Sequence, residues 1–381
     1  MPKNLPPELT EDILRRLPAK SLKRFRAVSK SWCFLIDSEN FIKLHLHTSL
    51  ISNSNRKLIL GGLGLYSIDL DSLDKAIVIK PPFYYKSVDG ISNSCNGLVL
   101  VMSAPPVVWN PFTRDYKVLP DCGDDVPIPL DSYSKTAYGF GYDSRNDDYK
   151  VVRVSEFRND LTHVWMCSRS MIYSLRSNSW RRIEGFPYPL PFLRGNWRVH
   201  VNGALHTLVV DPDDVDSATI MAFSVHSEEH YQVTMPPGIR IREADVSLDV
   251  IGGCLCVIYS KRSRVLIWVM KEYRVKESWF KLLSISLQSI EGNDFVKPLV
   301  YSRDGDKVLL NCDDKRLIWF DLRNKSVENV LVDGMPFVFY AEFCVESLVW
   351  IDSGDEVRKQ GDEVKKHGQR KTKEKNIKNK R

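Results

Sequence analysis

The chain has 381 residues, 43% of them hydrophobic, which leaves room for two or three domains and a sizeable buried core. It has no run approaching the roughly eighteen uncharged apolar residues of a membrane span and no apolar stretch behind a basic leader, so neither a span nor a secretory signal is expected. The formal net charge of +6 is local: residues 354–381 hold eleven Lys/Arg and five Asp/Glu, and the residues before them balance at 43 of each. A neutral body with a basic tail is not a nucleic-acid-binding face, and no specific nucleic acid partner is expected.

The first elements are helical. Pro6-Pro7 can open a helix because proline pre-sets φ and lacks only an N–H that would be orphaned there. Glu8, Glu11 and Asp12 place negative charge at the positive end of its dipole. Leu9, Ile13 and Leu17 recur at steps of four beside Leu14, giving one apolar face, and Pro18 ends the pattern. A second helix is expected from Ala19 to Val28, with Leu22 and Phe25 inward. A third starts near Ser29, a good N-cap, and carries Trp32, Leu35 and Ile36. Three helices of this length expose more apolar surface than so small a unit can hide, so a partner is expected to cover one side.

Leu5-Pro6, Ile13-Leu14, Arg16-Leu17-Pro18, Val28-Ser29-Lys30-Ser31-Trp32 and Leu35-Ile36 together resemble the F-box in order and spacing. The resemblance implies docking to the small adaptor subunit of SCF-type ubiquitin ligases and, through it, to cullin. The adaptor-facing candidates are Leu5, Pro6, Leu9, Ile13, Leu14, Leu17, Pro18, Val28, Trp32, Leu35 and Ile36. Some of these must form the core of the helical unit, and the sequence does not divide them.

A helical pattern continues through Phe41, Leu44 and Leu46, and residues 51–57 read as a linker after a helical domain of residues 1–50. From Lys57 short β-branched and aromatic runs alternate with Gly, Asn, Asp, Ser and Pro, and no amphipathic helix is evident before the tail. Gly97–Val101, Lys150–Val154, Leu255–Tyr259 and Val308–Leu310 read as strands. An aromatic opens a hairpin at Tyr66, Trp109, Tyr173, Phe223, Trp268 and Trp319, at intervals of 43, 64, 50, 45 and 51 residues. Glycine-led apolar strands recur at Gly97, Gly203, Gly253 and Gly305. This period suits propeller blades, each burying its faces against its neighbours. Ring closure is expected to pair a last strand near Phe343–Val349 with the first.

Within this region Ser92-Asn93-Ser94-Cys95-Asn96-Gly97-Leu98, Trp109-Asn110-Pro111-Phe112-Thr113-Arg114, Gly139-Phe140-Gly141-Tyr142-Asp143, the run Asp147–Arg153, and Tyr173-Ser174-Leu175 with Ser179-Trp180-Arg181 resemble the plant F-box-associated, kelch-like domain. Tyr66–Asp74, Trp268–Tyr273 and Trp319–Leu322 resemble its subgroup that limits constitutive defence responses. That resemblance implies target proteins presented for ubiquitination and degradation, with plant immune receptors among the candidates. The expected fold is a multidomain α + β chain: a small three-helix F-box, an all-β propeller-like substrate-binding domain over residues 58–350, and a disordered basic tail over residues 351–381.

Residue patterns for chemistry are sparse. Gly61-Gly62-Leu63-Gly64 lacks the Lys-Ser/Thr of a phosphate loop and reads as a turn. Asp211-Pro212-Asp213-Asp214-Val215-Asp216 lacks the glycine and distal glutamate of a calcium loop. Eight cysteines are scattered, only Cys254 and Cys256 lie close, and His45, His47 and His200 show no ligand spacing. Buried thiols in a reducing, cytoplasmic or nuclear compartment are expected, with no metal, cofactor or catalytic residue. The expectation is a non-catalytic receptor subunit. The competing readings are a propeller-type carbohydrate-binding protein or enzyme with an appended helical region, and a nucleic-acid binder acting through the tail.

Overall fold

The structure is a computed structural model that describes residues 6–84, 90–123, 129, 131–190, 197–210, 218–241, 244–261, 263–290 and 295–351. The basic tail and the acidic cluster near Asp213 therefore lie outside the described residues.

Four helices come first: α1 (Pro7–Leu14), α2 (Ala19–Phe25), α3 (Lys30–Asp37) and α4 (Glu39–Ile51). Pro6 and Pro7 open α1 as expected, with no side-chain cap. Ser29 caps α3 by accepting a hydrogen bond from Trp32 N at 3.2 Å, and Ser38 caps α4 by accepting one from Phe41 N at 3.3 Å. The helix expected to end at Val28 stops at Phe25 and continues only as turns.

Among the described residues, the strands from Arg56 onward form six four-stranded antiparallel sheets, with short 3-10 helices at Lys276–Ser278 and Leu287–Ile290. Blade 1 runs, from the innermost strand outward, Tyr340–Val345, Arg56–Gly61, Leu65–Asp69 and Ala76–Ile79. Blade 2 begins with Ile91–Cys95 and ends with Tyr116–Val118; blade 3 spans Ser132–Asp143 to Ser179–Ile183. Blades 4, 5 and 6 open with Val199–Val201, Asp245–Ile251 and Val296–Tyr301 and end with His230–Val233, Trp279–Ser286 and Val327–Val330. The ring closes through blade 1, where the last strand pairs with the first in the register Leu58↔Phe343. That pairing covers the inner edge of the first strand and ties the two ends of the ring together.

All six aromatics of the sequence repeat fall on the third strand of their blade, each opposite a fully buried aliphatic on the second. The pairs are Tyr66↔Leu60, Trp109↔Val99, Tyr173↔Val151, Phe223↔Leu205, Trp268↔Val257 and Trp319↔Leu309. The four apolar runs read as strands are second strands, which neighbouring blades cover on both faces, so they lack polar alternation. Among the described residues, the long 64-residue interval holds no extra strand pair. Blade 3 instead has first and second strands of twelve residues each.

Asn96-Gly97 and Asn202-Gly203 both have positive φ at their two central positions, 53° and 82° in one and 52° and 73° in the other. These are two-residue hairpins between first and second strands, where only such residues fit the turn without strain.

Candidate functional site

The helical unit divides the sequence-nominated residues into two sets. Leu14 and Ile36 are buried with Ala19, Leu22 and Phe41, and Leu17, Trp32 and Leu35 are half-buried against them. Trp32 packs edge-on to Phe25 at 5.7 Å between ring centres. The second set is open. Pro6, Leu9 and Ile13 follow one face of α1, with Leu9 53% and Ile13 49% exposed. Pro18 and Val28, the latter 61% exposed, flank α2. Leu5 lies outside the described residues. Phe34 on α3 is 78% exposed and was not anticipated, although its place between the inward Trp32 and Leu35–Ile36 turns it off the core stripe. Beside these apolar side chains, Asp12 accepts from Arg15 at 2.5 Å and from Arg16 at 3.0 Å, and hydrogen bonds from Arg16 and then Arg15 hold its carboxyl below the usual range.

The helical unit is seated on the ring rather than tethered to it. The final described segment, Glu346–Ile351, leaves the closing strand and runs between the two parts; all of it but Trp350 is buried. Leu348 completes the helical core, and Val349 and Ile351 join a ring cluster that includes Ile42 and Leu46 of α4. Glu346 accepts a hydrogen bond from Ala19 N at 2.9 Å, capping α2 with a carboxylate, and pairs with Lys57 at 3.3 Å. The strand expected to reach Val349 therefore ends at Val345.

The motifs that resemble the plant domain meet at this strap. Asn110 donates to Ser347 O at 3.2 Å and Val349 O at 2.8 Å, while its own oxygen accepts from Phe112 N and Thr113 N. Phe112 packs on the helical core, and Lys23 donates to Thr113 O at 2.5 Å. A Cβ on Gly97 would lie 2.6 Å from Val345 O and collide with the Ser347 side chain. Lys43 of α4 pairs with Asp147 of blade 3 at 2.6 Å.

The innermost strands enclose a central cavity of about 1180 Å³, with Ser49, Leu50 and Ile51 of α4 at one mouth. Inside it Lys297 bridges Asp249 at 3.4 Å and Glu342 at 3.1 Å, across three blades. Burial raises the Asp249 carboxyl to about 6 in spite of Lys297. Cys95 Sγ lies 3.7 Å from His200 Nδ1, but burial pushes the thiol up to about 12 and the imidazole down to about 4. Both are neutral near pH 7, the opposite of an activated thiolate–imidazolium pair. Among the described residues no group of three His, Cys, Asp or Glu could hold a metal ion, and no helix is long and apolar enough to cross a membrane.

Fold and site define a two-part protein: a helical unit with exposed apolar side chains, packed onto a six-bladed propeller. A family model for the F-box domain matches residues 3–44, and one for the F-box associated β-propeller domain matches residues 59–349. The chain belongs to the F-box proteins that carry this propeller domain. It is 36% identical over 372 residues to F-box protein CPR1 of Arabidopsis thaliana, covering 92% of this chain and 90% of that one. It is 30% identical to F-box protein At4g22390 of the same plant, covering 93% and 92% of the two chains. The F-box/kelch-repeat protein At3g23880, also from that plant, is 32% identical over 81% of this chain and 85% of its own. A solved oligogalacturonate lyase complexed with manganese superposes with a TM-score of 0.40 at 12% identity, covering 74% of this chain and 76% of that one, a likeness too slight to bear on function. Membership of this family makes the chain a substrate-recognition adaptor.

Proposed function

We propose that this chain is the substrate receptor of an SCF-type cullin–RING ubiquitin ligase. The F-box binds the ligase adaptor, and through it cullin, while the propeller holds a target protein for ubiquitination and proteasomal degradation. The observation that carries this reading is the open face of Pro6, Leu9, Ile13, Pro18, Val28 and Phe34 on a unit otherwise packed against its own ring. Exposed apolar residues of this number on a small helical unit mark a surface for a partner helix or groove. Leu14, Leu17, Trp32, Leu35 and Ile36 frame that face from beneath. The chain itself contributes no catalytic group; acceleration comes from holding a target lysine at high effective concentration beside the charged conjugating enzyme. The resemblance to the defence-limiting subgroup makes a plant immune receptor the favoured target class, in the cytoplasm and/or nucleus.

The direct test replaces Leu9 and Ile13 together by glutamate in the full chain and measures capture of the purified adaptor. Capture is expected to fall about a hundredfold, as for loss of two buried interface anchors. The melting temperature is expected to hold, because both side chains are half in solvent and outside the helical core. Undiminished capture would overturn the assignment of this face.

A further inference from the structure

The outer edge of each blade presents a fourth strand to solvent. Five of these edges are polar wherever they are exposed: Ser179, Arg181 and Arg182 in blade 3, Gln232 in blade 4, Lys281 in blade 5, Glu328 and Asn329 in blade 6, with nothing fully exposed on the blade 2 strand. Blade 1 departs from this pattern. Its fourth strand, Ala76–Ile79, carries Ile77 and Val78 at 62% and 60% exposure.

Backbone directions show that this edge is also open for pairing. Leu70 N donates to Arg56 O, so alternate residues Ile68 and Tyr66 face the second strand, and Ser67 faces the fourth. Ile77, opposite Ser67, therefore points its backbone groups inward, and Ala76 and Val78 point theirs out. Ala76 N confirms the direction by donating outward to Asp333 O at 2.8 Å. Asp333 N in turn donates to Asp74 O at 2.9 Å, so residues around Asp333 begin a parallel fifth strand. It stops there. Among the described residues Val78 N–H and C=O have no partner beyond that fragment. Leu331, two residues before Asp333 on the same connection, is 90% exposed.

Charge closes one end of the site. Lys80 and Arg114 are both exposed, and Arg114 donates to Lys80 O at 3.3 Å, which places two cations where the strand ends. At the other end Lys75 is matched by Asp333 at 3.9 Å.

We propose that the blade 1 edge is where the target protein docks, as an extended segment that adds a strand beside Val78. Its apolar side chains would cover Ile77 and Val78, and an acidic residue would meet Lys80 and Arg114. This rests on the reading of the chain as a substrate receptor. Main-chain pairing supplies affinity in such augmentation, and the apolar and charged neighbours supply register.

The test uses the full chain bound to its adaptor and two fluorescent eight-residue peptides of alternating Val and Thr, one ending in Glu-Glu and the other in Lys-Lys. Anisotropy titration is expected to show the acidic peptide binding about tenfold more tightly than the basic one, with the difference shrinking in high salt. Val78→Pro removes an outward N–H without breaking the ladder to the third strand, and is expected to abolish binding of the acidic peptide. Ile77→Ser, a milder change, is expected to weaken it. Equal binding of the two peptides, or binding untouched by Val78→Pro, would overturn the proposal. Concentration-dependent dimers that Val78→Pro dissolves would also overturn it, by assigning the edge to a second copy of the chain. Adaptor retention is read in the same samples: its loss in the unaltered protein would sink the receptor reading, whereas failure of the peptides with the adaptor retained sinks only the edge.

Discussion

Glu346 shows how much one side chain can connect. Its carboxylate caps α2 at Ala19 and pairs with Lys57 on the second strand of blade 1, so it joins the F-box, the strap and the ring. Replacing it with alanine leaves the buried Ala19 N–H unpaired. The expected cost is about 1–3 kcal/mol in urea unfolding, the range for an orphaned buried donor. A neighbouring prediction concerns His206, which is buried with Nδ1 at 3.2 Å from Val199 O and Nε2 at 2.6 Å from the Tyr273 hydroxyl. Burial holds it down to about 4. An unfolded histidine titrates near 6.5, so between these values the unfolded chain binds a proton that the folded protein refuses. Its contribution is complete above about pH 6.5 and falls as pH drops, by about 2 kcal/mol at pH 5. His200 acts in the same direction, while Asp249, raised to about 6, acts against it. The His206→Gln variant should thus be less stable at pH 7 yet show a shallower loss between pH 7 and pH 5. An unchanged slope in paired urea titrations would refute the His206 share.

At the scale of elements, the strap decides whether the F-box can fold. Leu348 lies in the same core as Leu14, Leu22 and Ile36, and Val349 and Ile351 pack in the ring cluster that receives Ile42 and Leu46. A chain ending at Val345 keeps every residue of the F-box match, and all 24 described strands, but loses this support. It is expected to lose adaptor capture and to show weakened far-UV helical signal; full capture would show that the strap is dispensable. The strap is also where sequence reasoning fell short, for a physical reason. Glu346 meets Ala19 across 327 residues, and nothing local marks such a contact. Its apolar neighbours suggested a longer strand instead. By contrast the third-strand aromatics were legible because one physical demand, filling the space between blades, recurs six times. Asn110, Phe112 and Gly97 were legible as motif residues, but their purpose was not, since each acts on the strap or on the helices. On the F-box the periodicity identified the apolar residues. It could not separate Leu14 and Ile36 from Leu9 and Ile13, because a small unit with two apolar faces satisfies the same spacing.

For the whole molecule, these contacts predict that F-box and propeller move as one body. The strap, Asn110 and the Lys43–Asp147 pair join the two parts independently of residues 52–55, the short connection between α4 and the first strand, although Asn55 O also accepts from Glu346 N at 2.9 Å. Closing a loop already held at both ends depends weakly on its length, with each doubling costing about 0.6 kcal/mol. Six Gly/Ser residues inserted after Asn53 should therefore leave adaptor capture and the single cooperative melt almost unchanged. Leu348→Asp, which buries a charge in the shared core, should uncouple the parts while the connection stays intact, at a cost of several kcal/mol. Fluorophores on α3 and on blade 5 would read the outcome as a distance distribution: narrow in the insertion variant, broad in Leu348→Asp. A broad distribution in the insertion variant would place the coupling in the connection and refute the strap as its source. Rigidity of this kind has a functional meaning under the receptor reading. A fixed angle between adaptor and target edge limits which lysines of a bound target can reach the conjugating enzyme, so Leu348→Asp should spread ubiquitin over more target lysines while slowing transfer to each.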